Sequence, residues 1–207
     1  MIVRVLYNGS SWTWSVTVEA LQQRILAEGS NLGRGILKVD SFINHQVDPM
    51  LMHECALEFA RRFAADRATK VLTAEISGIA PALLTALELK VPVVYARKHK
   101  PITMPDTVFL TTAPSHTKGH DVNLMVSPEY LAHGERVLII DDFLASGQTI
   151  LGLIRLAQAA GSTVIGVGAL IEKTFEGGRD LLEATGLKVE ALARIVSLAD
   201  DRIVFVD

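Results

Sequence analysis

The stretch VLIIDDFLASGQT, residues 137–149, runs four aliphatic side chains into two adjacent carboxylates and then into a turn of small residues. Asp141 and Asp142, expected at the end of a buried strand, put charge where it costs free energy unless something binds it. Ionised carboxylates accept hydrogen bonds, so a sugar diol suits them, and Mg²⁺ can bridge hydroxyl and phosphate oxygens beside them. Ala145, Ser146 and Gly147 permit a tight turn whose successive amides form an anion-binding nest. Ser146 and Thr149 add hydroxyl donors, and a helix starting near Gln148 aims its positive end at the same place. Phosphate suits the turn and hydroxyls suit the aspartates, so the ligand implied is a ribose phosphate.

Two further loops carry chemistry. AEISGIAP, residues 74–81, sets Glu75, Ser77 and Gly78 ahead of a helix, where close backbone approach and free amides suit a phosphate. A plain strand-to-helix turn has the same sequence and is the simpler reading. ARKHK, residues 96–100, places Arg97, Lys98, His99 and Lys100 directly after VPVVY; the cluster either neutralises a polyanion or is a solvated loop. Neither GxxxxGK[ST] nor a GxGxxG after a strand is present, which removes the Walker and dinucleotide loops. His99, His116 and His120 lack HExxH spacing or cysteine partners and read as ordinary loop residues. The single cysteine, Cys55, recurs with Met52, Phe59 and Phe63 at helical spacing behind an Asp48-Pro49 start, and reads as core. One cysteine makes no internal disulfide and fits a reducing cytoplasm.

These loops need a scaffold. KVLTAE, VPVVYAR, RVLIIDD and TVIGVGALIE read as strands, separated by helices at APALLTALEL and TILGLIRLAQAAG and preceded by a helix from about residue 49 to 66. Aliphatic strands alternating with helices describe an α/β domain with a parallel sheet buried on both faces, and ligands bind beyond the carboxyl ends of such strands. Between residues 98 and 135 the pattern loosens around two short strand-like pieces, 108–113 and 122–126, as a mobile lid or an irregular hairpin would. At 207 residues, about half of them apolar, the chain is expected to fold as one well-buried domain over residues 18–207. The net charge of -3, with both signs mixed, supplies no basic stripe for nucleic acid. No apolar run approaches the ~18 residues of a membrane span. Residues 1–17 form an extension of unsettled status: an edge strand, a partner-binding arm or an over-long gene start, the last favoured because Val18 can serve as an initiator. Helical character is expected from Val18, with Thr17 as its cap.

With these elements in place, residues 137–149 resemble the phosphoribosyl pyrophosphate (PRPP) motif of type I phosphoribosyltransferases. LKVDSFINHQ, SGIAPA, ARKHK and IEKTFEGGRDLL are similar to the xanthine branch of that family, and the resemblance runs from about Val18 to the end. It implies the type I fold: a central, mostly parallel sheet flanked by helices, a small N-terminal hood built from about residues 18–48 and the C-terminal part, and a flexible lid loop. It implies transfer of the phosphoribosyl group from PRPP to xanthine, giving xanthosine monophosphate and pyrophosphate in purine salvage. Asp141 and Asp142 would hold the ribose hydroxyls and, indirectly, Mg²⁺; direct metal ligation by them stays open. Ala145, Ser146, Gly147, Gln148 and Thr149 would wrap the ribose phosphate. Glu75, Ser77, Gly78, Arg97 and Lys98 would bind pyrophosphate, while Leu37, Asn44 and Lys173 would meet the base. A cytoplasmic homodimer that binds small molecules, with no nucleic-acid or membrane partner, is expected.

The alternatives are a guanine/hypoxanthine or adenine enzyme, or a regulator that keeps the pocket as a PRPP sensor. Guanine and hypoxanthine enzymes of the family carry Asp where this chain has Ala145, which weakens that reading and leaves base deprotonation to the substrate's own acidity. Adenine offers a donor where xanthine offers an acceptor, so Lys173, a donor only, argues against it. A regulator would need a DNA-binding module, and the residues before Val18 are too few for one.

Overall fold

The computed structural model describes residues 15–114, 121–200 and 202–206. Of the extension expected over residues 1–17, residues 1–14 lie outside the described residues, as do His116, His120 and the rest of 115–120.

Ten strands and five α-helices are described. The central sheet takes β3 (Lys70–Ala74), β4 (Val93–Ala96), β7 (Arg136–Leu144), β8 (Thr163–Lys173), β9 (Val189–Ser197) and β10 (Val204–Phe205), in the order β10-β9-β8-β7-β3-β4. All neighbours pair in parallel except β10, which runs antiparallel to β9 at the edge. Successive side chains on the inner strands feed opposite layers, as the two-residue strand period requires. On one face Val71, Leu138 and Ile140 pack with α1 (Ser15–Glu28), α2 (Pro49–Arg62) and α3 (Ile79–Leu89) through Leu21, Ile25, Met52, Phe59, Ala82 and Ala86. On the other, Leu72, Val137, Ile139, Val167 and Ala169 pack with Ile150, Leu153 and Leu156 of α4 (Gln148–Ala159). A short α5 (Gly178–Glu183) follows β8. Among the described residues no helix is long and apolar enough to cross a membrane.

The four strands read from aliphatic runs are all present, and Asp48 caps α2 by accepting from Met50 N at 3.0 Å and Leu51 N at 3.2 Å. Cys55 is fully buried in the core, and burial pushes its thiol up to about 12, as befits an inert packing group. Gly168 of β8 lets α2 pack close: a Cβ there would lie 2.6 Å from Ile140 Cδ1 and 2.9 Å from Phe59 Cε1.

Three expectations change. α1 begins at Ser15, so Thr17 lies within the helix and not at its cap. β7 does not stop at Asp142; it pairs with β8 through Phe143 and Leu144, so the aspartates sit inside a strand. The loose insertion holds a regular antiparallel hairpin, β5 (Phe109–Pro114) and β6 (Asp121–Val126), which Arg155 of α4 grips through Thr111 Oγ1 at 3.0 Å and Thr112 O at 2.8 Å.

The chain before α2 forms a small layer at one end of the sheet: β1 (Ser30–Asn31), β2 (Leu37–Lys38) and a π-helical turn, Asp40–Asn44. Asn31 Nδ2 donates to Leu198 O at 2.8 Å and so ties this layer to the chain just past β9.

Candidate active site

Asp141 and Asp142 are 7 % and 8 % exposed, far more buried than a strand end in water would leave them. Asp142 N donates to Asp141 Oδ1 at 3.0 Å, which fixes the first carboxylate over the backbone of the second. Burial, and then the neighbouring Asp142, pushes the Asp141 carboxyl well above the usual carboxylate range, while the charge of Lys98 pulls the other way. The start of α3 presses on the same carboxylate: a Cβ at Gly78 would lie 2.5 Å from Asp141 Oδ1. Glycine there is therefore a packing requirement of the carboxylate site.

A cavity of about 210 Å³ opens at this point, and its lining joins all three loops singled out in the sequence. Asp141, Asp142, Ala145 and Thr149 come from β7 and the start of α4, Glu75 and Ser77 follow β3, and Lys98 follows β4. The turn before α4 ends at Gly147 with φ +77°, a conformation that favours glycine, and Leu151 N is the first α4 amide to bond back to Gly147 O. The N–H groups of Gln148, Thr149 and Ile150 are thus left without intrahelical acceptors, as at any helix start. Gly78 and Gly147 act through backbone shape, and neither Gln148 nor Arg97 lines this cavity.

Glu75 has partners of a different kind from those expected of a pyrophosphate contact. Its Oε1 accepts from Lys98 N at 2.6 Å, and Oε2 pairs with Arg97 Nε at 2.9 Å. The carboxylate thus ties the loop after β3 to the cationic loop after β4. Arg97 is held further by its backbone, which exchanges hydrogen bonds with Met125 of β6 at 2.8 and 3.0 Å. An adjoining cavity of about 360 Å³ is lined by Asn44, Glu75, Ile76, Ser77, Lys98 and His99, so Asn44 reaches the same loops from the N-terminal layer.

The other two residues expected to meet the base, Leu37 and Lys173, line neither cavity. Leu37 is 7 % exposed and packs into the core behind the N-terminal layer. Lys173 Nζ donates to Gly35 O and to Glu176 Oε1, both at 2.8 Å, and sits 5.8 Å from the ring centroid of Phe143. Phe143, which also lines the first cavity, is the residue the sequence reading passed over. Its signal was its place between the aspartates and the turn. Two larger clefts, about 530 Å³ along β4 and 740 Å³ between α1 and β9–β10, do not touch the carboxylate pair.

Among the described residues no three His, Cys, Asp or Glu side chains gather in a way that could hold a metal ion. The hard oxygens on offer at the cavity are those of the aspartate pair, which suit Mg²⁺ completed by ligand oxygens.

Comparison with known proteins matches residues 57–190 to the phosphoribosyl transferase domain. Over 190 residues the chain is 48 % identical to a xanthine phosphoribosyltransferase of Stutzerimonas stutzeri, covering 92 % of this chain and 100 % of that protein. It is 47 % identical to one of Leuconostoc mesenteroides over 188 residues, 91 % of this chain and 100 % of the relative. Among solved structures, the adenine phosphoribosyltransferase of Thermoanaerobacter pseudethanolicus superposes with a TM-score of 0.71 at 22 % identity, over 86 % of this chain and 99 % of that one. That of Rhodothermus marinus gives 0.70 at 24 %, over 87 % and 99 %. At such identities these structures show the fold alone.

Proposed function

The chain belongs to the phosphoribosyl transferase domain family, and on that premise we propose that it transfers the phosphoribosyl group of PRPP to xanthine, releasing pyrophosphate, as a glycosyltransferase of purine salvage. The observation that carries the reading is the meeting of Asp141, Asp142, the turn before α4 and Lys98 around one cavity in a chain so similar to xanthine phosphoribosyltransferases. Adenine use has only the fold in its favour.

Positive charge grows at the ribose carbon as pyrophosphate departs, so the chain's task is to fix the sugar and steady the leaving anion. In this reading Asp141 and Asp142 accept hydrogen bonds from the ribose hydroxyls. The amides of residues 145–149, with the Ser146 and Thr149 hydroxyls, hold the 5′-phosphate at the positive end of α4. Ser77, the backbone at Gly78 and the cations Arg97 and Lys98 receive the pyrophosphate. Glu75 acts on that group indirectly, by holding Arg97 and the Lys98 amide in place. Asp141 and Asp142 would hold Mg²⁺ brought with PRPP, and the ion would supply neutralisation of the leaving group's charge.

On the base side Lys173 has three N–H donors, two of them directed at Gly35 O and Glu176. The third is left for an exocyclic oxygen of xanthine, and the Asn44 amide serves the other oxygen or a ring nitrogen. Leu37 backs the layer behind the base, and Phe143 supplies an apolar surface between base and ribose. The reading includes a cytoplasmic homodimer. Ile76 in the loop after β3, Leu83 and Leu87 of α3, and Tyr95 of β4 are exposed apolar side chains and suit a second copy.

The test is to incubate the protein with PRPP, Mg²⁺ and each purine base and to measure pyrophosphate. Xanthine is expected first, guanine and hypoxanthine well behind, and adenine inactive. Preference for adenine would overturn the base assignment, and PRPP binding without turnover of any base would favour a sensor.

A further inference from the structure

The turn that carries the phosphate-binding residues is shaped by a chain segment around Gly178, well beyond it in sequence. Gly178 N donates to Ala145 O at 3.0 Å. A Cβ on Gly147 would lie 3.1 Å from Gly178 O and 3.2 Å from Gly178 Cα, and one on Gly178 would lie 2.7 Å from Gly147 N and 2.8 Å from Leu144 Cδ1. Two backbones are therefore in direct contact, with room for a side chain on neither. Gly177, just before, sits at φ +73° and turns the chain into this approach.

What holds Gly178 there is the next residue. The Arg179 guanidinium meets the Glu172 carboxylate two-pronged, Nε to Oε1 at 2.9 Å and Nη2 to Oε2 at 2.6 Å, and its Nη1 donates to Val189 O at 2.8 Å and Glu183 Oε1 at 2.9 Å. Glu172 is 1 % exposed within β8, and Arg194 of β9 reaches its Oε2 at 3.0 Å. The planar fork of arginine fixes direction as well as distance, so the central sheet sets the position of Gly178 through one guanidinium. At the near end of the same segment, Lys173 binds Glu176 and the N-terminal layer.

We propose that residues 176–179 form a brace for the phosphate-binding turn, with Gly178 and Arg179 as positioning residues that set its shape through Ala145 and Gly147, and with the Glu172–Arg179 pair as its anchor. The proposal rests on the assignment of residues 145–149 to the PRPP phosphate.

Three variants test it: Gly178→Ala, whose methyl pushes directly on the Gly147 amide, Arg179→Lys, which loses the fork, and Arg179→Gln, which also loses the charge. KM for PRPP and KM for xanthine are measured separately, together with the thermal midpoint and, in ligand-free protein, the exchange rate of the Gly178 amide and of the amides of residues 146–149. Gly178→Ala is expected to raise KM for PRPP by about tenfold or more while KM for xanthine moves by less than about threefold, because displaced amides weaken phosphate binding first. Arg179→Lys should raise KM for PRPP less than Arg179→Gln, and both should speed exchange of the Gly178 amide. A lower thermal midpoint with both KM values unchanged would overturn the proposal, as would a rise confined to xanthine. If Gly178→Ala fails to fold, Arg179→Lys decides, and unchanged PRPP affinity with unchanged Gly178 exchange refutes the brace. Failure of the wild-type protein to release pyrophosphate with any base would refute the assigned function instead, and the exchange rates, which need no substrate, would still decide the brace.

Discussion

Asp141, Asp142, Ala145 and Thr149 reach one cavity from a single run of residues, 141–149, that passes from strand to turn to helix. Leu37, Asn44 and Lys173 come from three separate parts of the chain, and only Asn44 lines a cavity there. Leu37 is core, and Lys173 is held by Gly35 and Glu176. The expected phosphate half thus draws its cavity-lining groups from one run of residues, braced by the segment around Gly178, whereas the expected base half depends on how the N-terminal layer and the loop after β8 meet.

The sharpest way to break this contrast is Asp141→Asn. Asn keeps an oxygen to accept from Asp142 N but carries no charge for the ribose site, and kcat/KM for PRPP is expected to fall by about 100-fold or more. Stability should move the other way. Burial and Asp142 raise the Asp141 carboxyl in the folded protein. A group that holds its proton more tightly folded than unfolded contributes stability in full below its unfolded value, about 3.9, and loses it as pH rises through the raised native value. As pH rises the wild-type protein loses that contribution, and the variant has nothing to lose. Thermal unfolding should therefore give the variant a higher midpoint at neutral pH, with the difference shrinking towards about pH 4; each 1 kcal/mol corresponds to about 2–4 °C in a chain of this size. A lower midpoint at neutral pH would mean that the carboxylate is held for stability and not at its expense.

Lys173→Ala probes the opposite half. A hydrogen bond from a charged donor contributes about 1.5–3 kcal/mol, so KM for xanthine should rise by about 10- to 100-fold, while KM for PRPP stays within about threefold. Comparable losses on both substrates would show the two halves to be coupled more tightly than their separate construction implies. Glu75→Gln should act more gently, since Arg97 and Lys98 remain and only their orientation is loosened. A fall in kcat/KM for PRPP of about 3- to 10-fold is expected, in line with a net hydrogen-bond contribution of about 0.5–1.5 kcal/mol. A gain in PRPP affinity would instead mean that the carboxylate competes with pyrophosphate for Arg97.

The same contrast explains what the sequence made legible. Strands buried on both faces must be nearly all aliphatic, and β3, β7 and β8 largely are, so the sheet and the contiguous run 137–149 could be read directly. β9 escaped because VEALARIVS carries Glu190 and Arg194 inside it, and their charges are matched only in three dimensions, by Arg62 at 2.8 Å and Glu172 at 3.0 Å. The true extent of β7 escaped for a related reason: two aspartates look like an ending until β8 is seen to continue beside them. Gly78 and Gly147 were legible as turn residues, but their contacts with Asp141 and Gly178 depend on other elements. The tie from Glu75 to the cationic loop needed β3 and β4 side by side, a pairing that no local pattern records.

Leu37 gives the finest test, because its expected catalytic effect is the smallest. The resemblance implies that it meets the base, yet it is 7 % exposed and shares a core with Ile25, Phe42 and Ile195. Leu37→Ala would leave a cavity under the N-terminal layer, at a cost of about 2–5 kcal/mol. If Leu37 serves only as backing, a denaturant titration should show that loss in full while the folded fraction keeps KM for xanthine within about threefold. A larger rise in KM for xanthine, with PRPP unaffected, would mean that the layer moves on binding and brings Leu37 against the base. The base half would then differ from the phosphate half in mobility as well as in construction, since the aspartate pair needs no such movement to face its ligand.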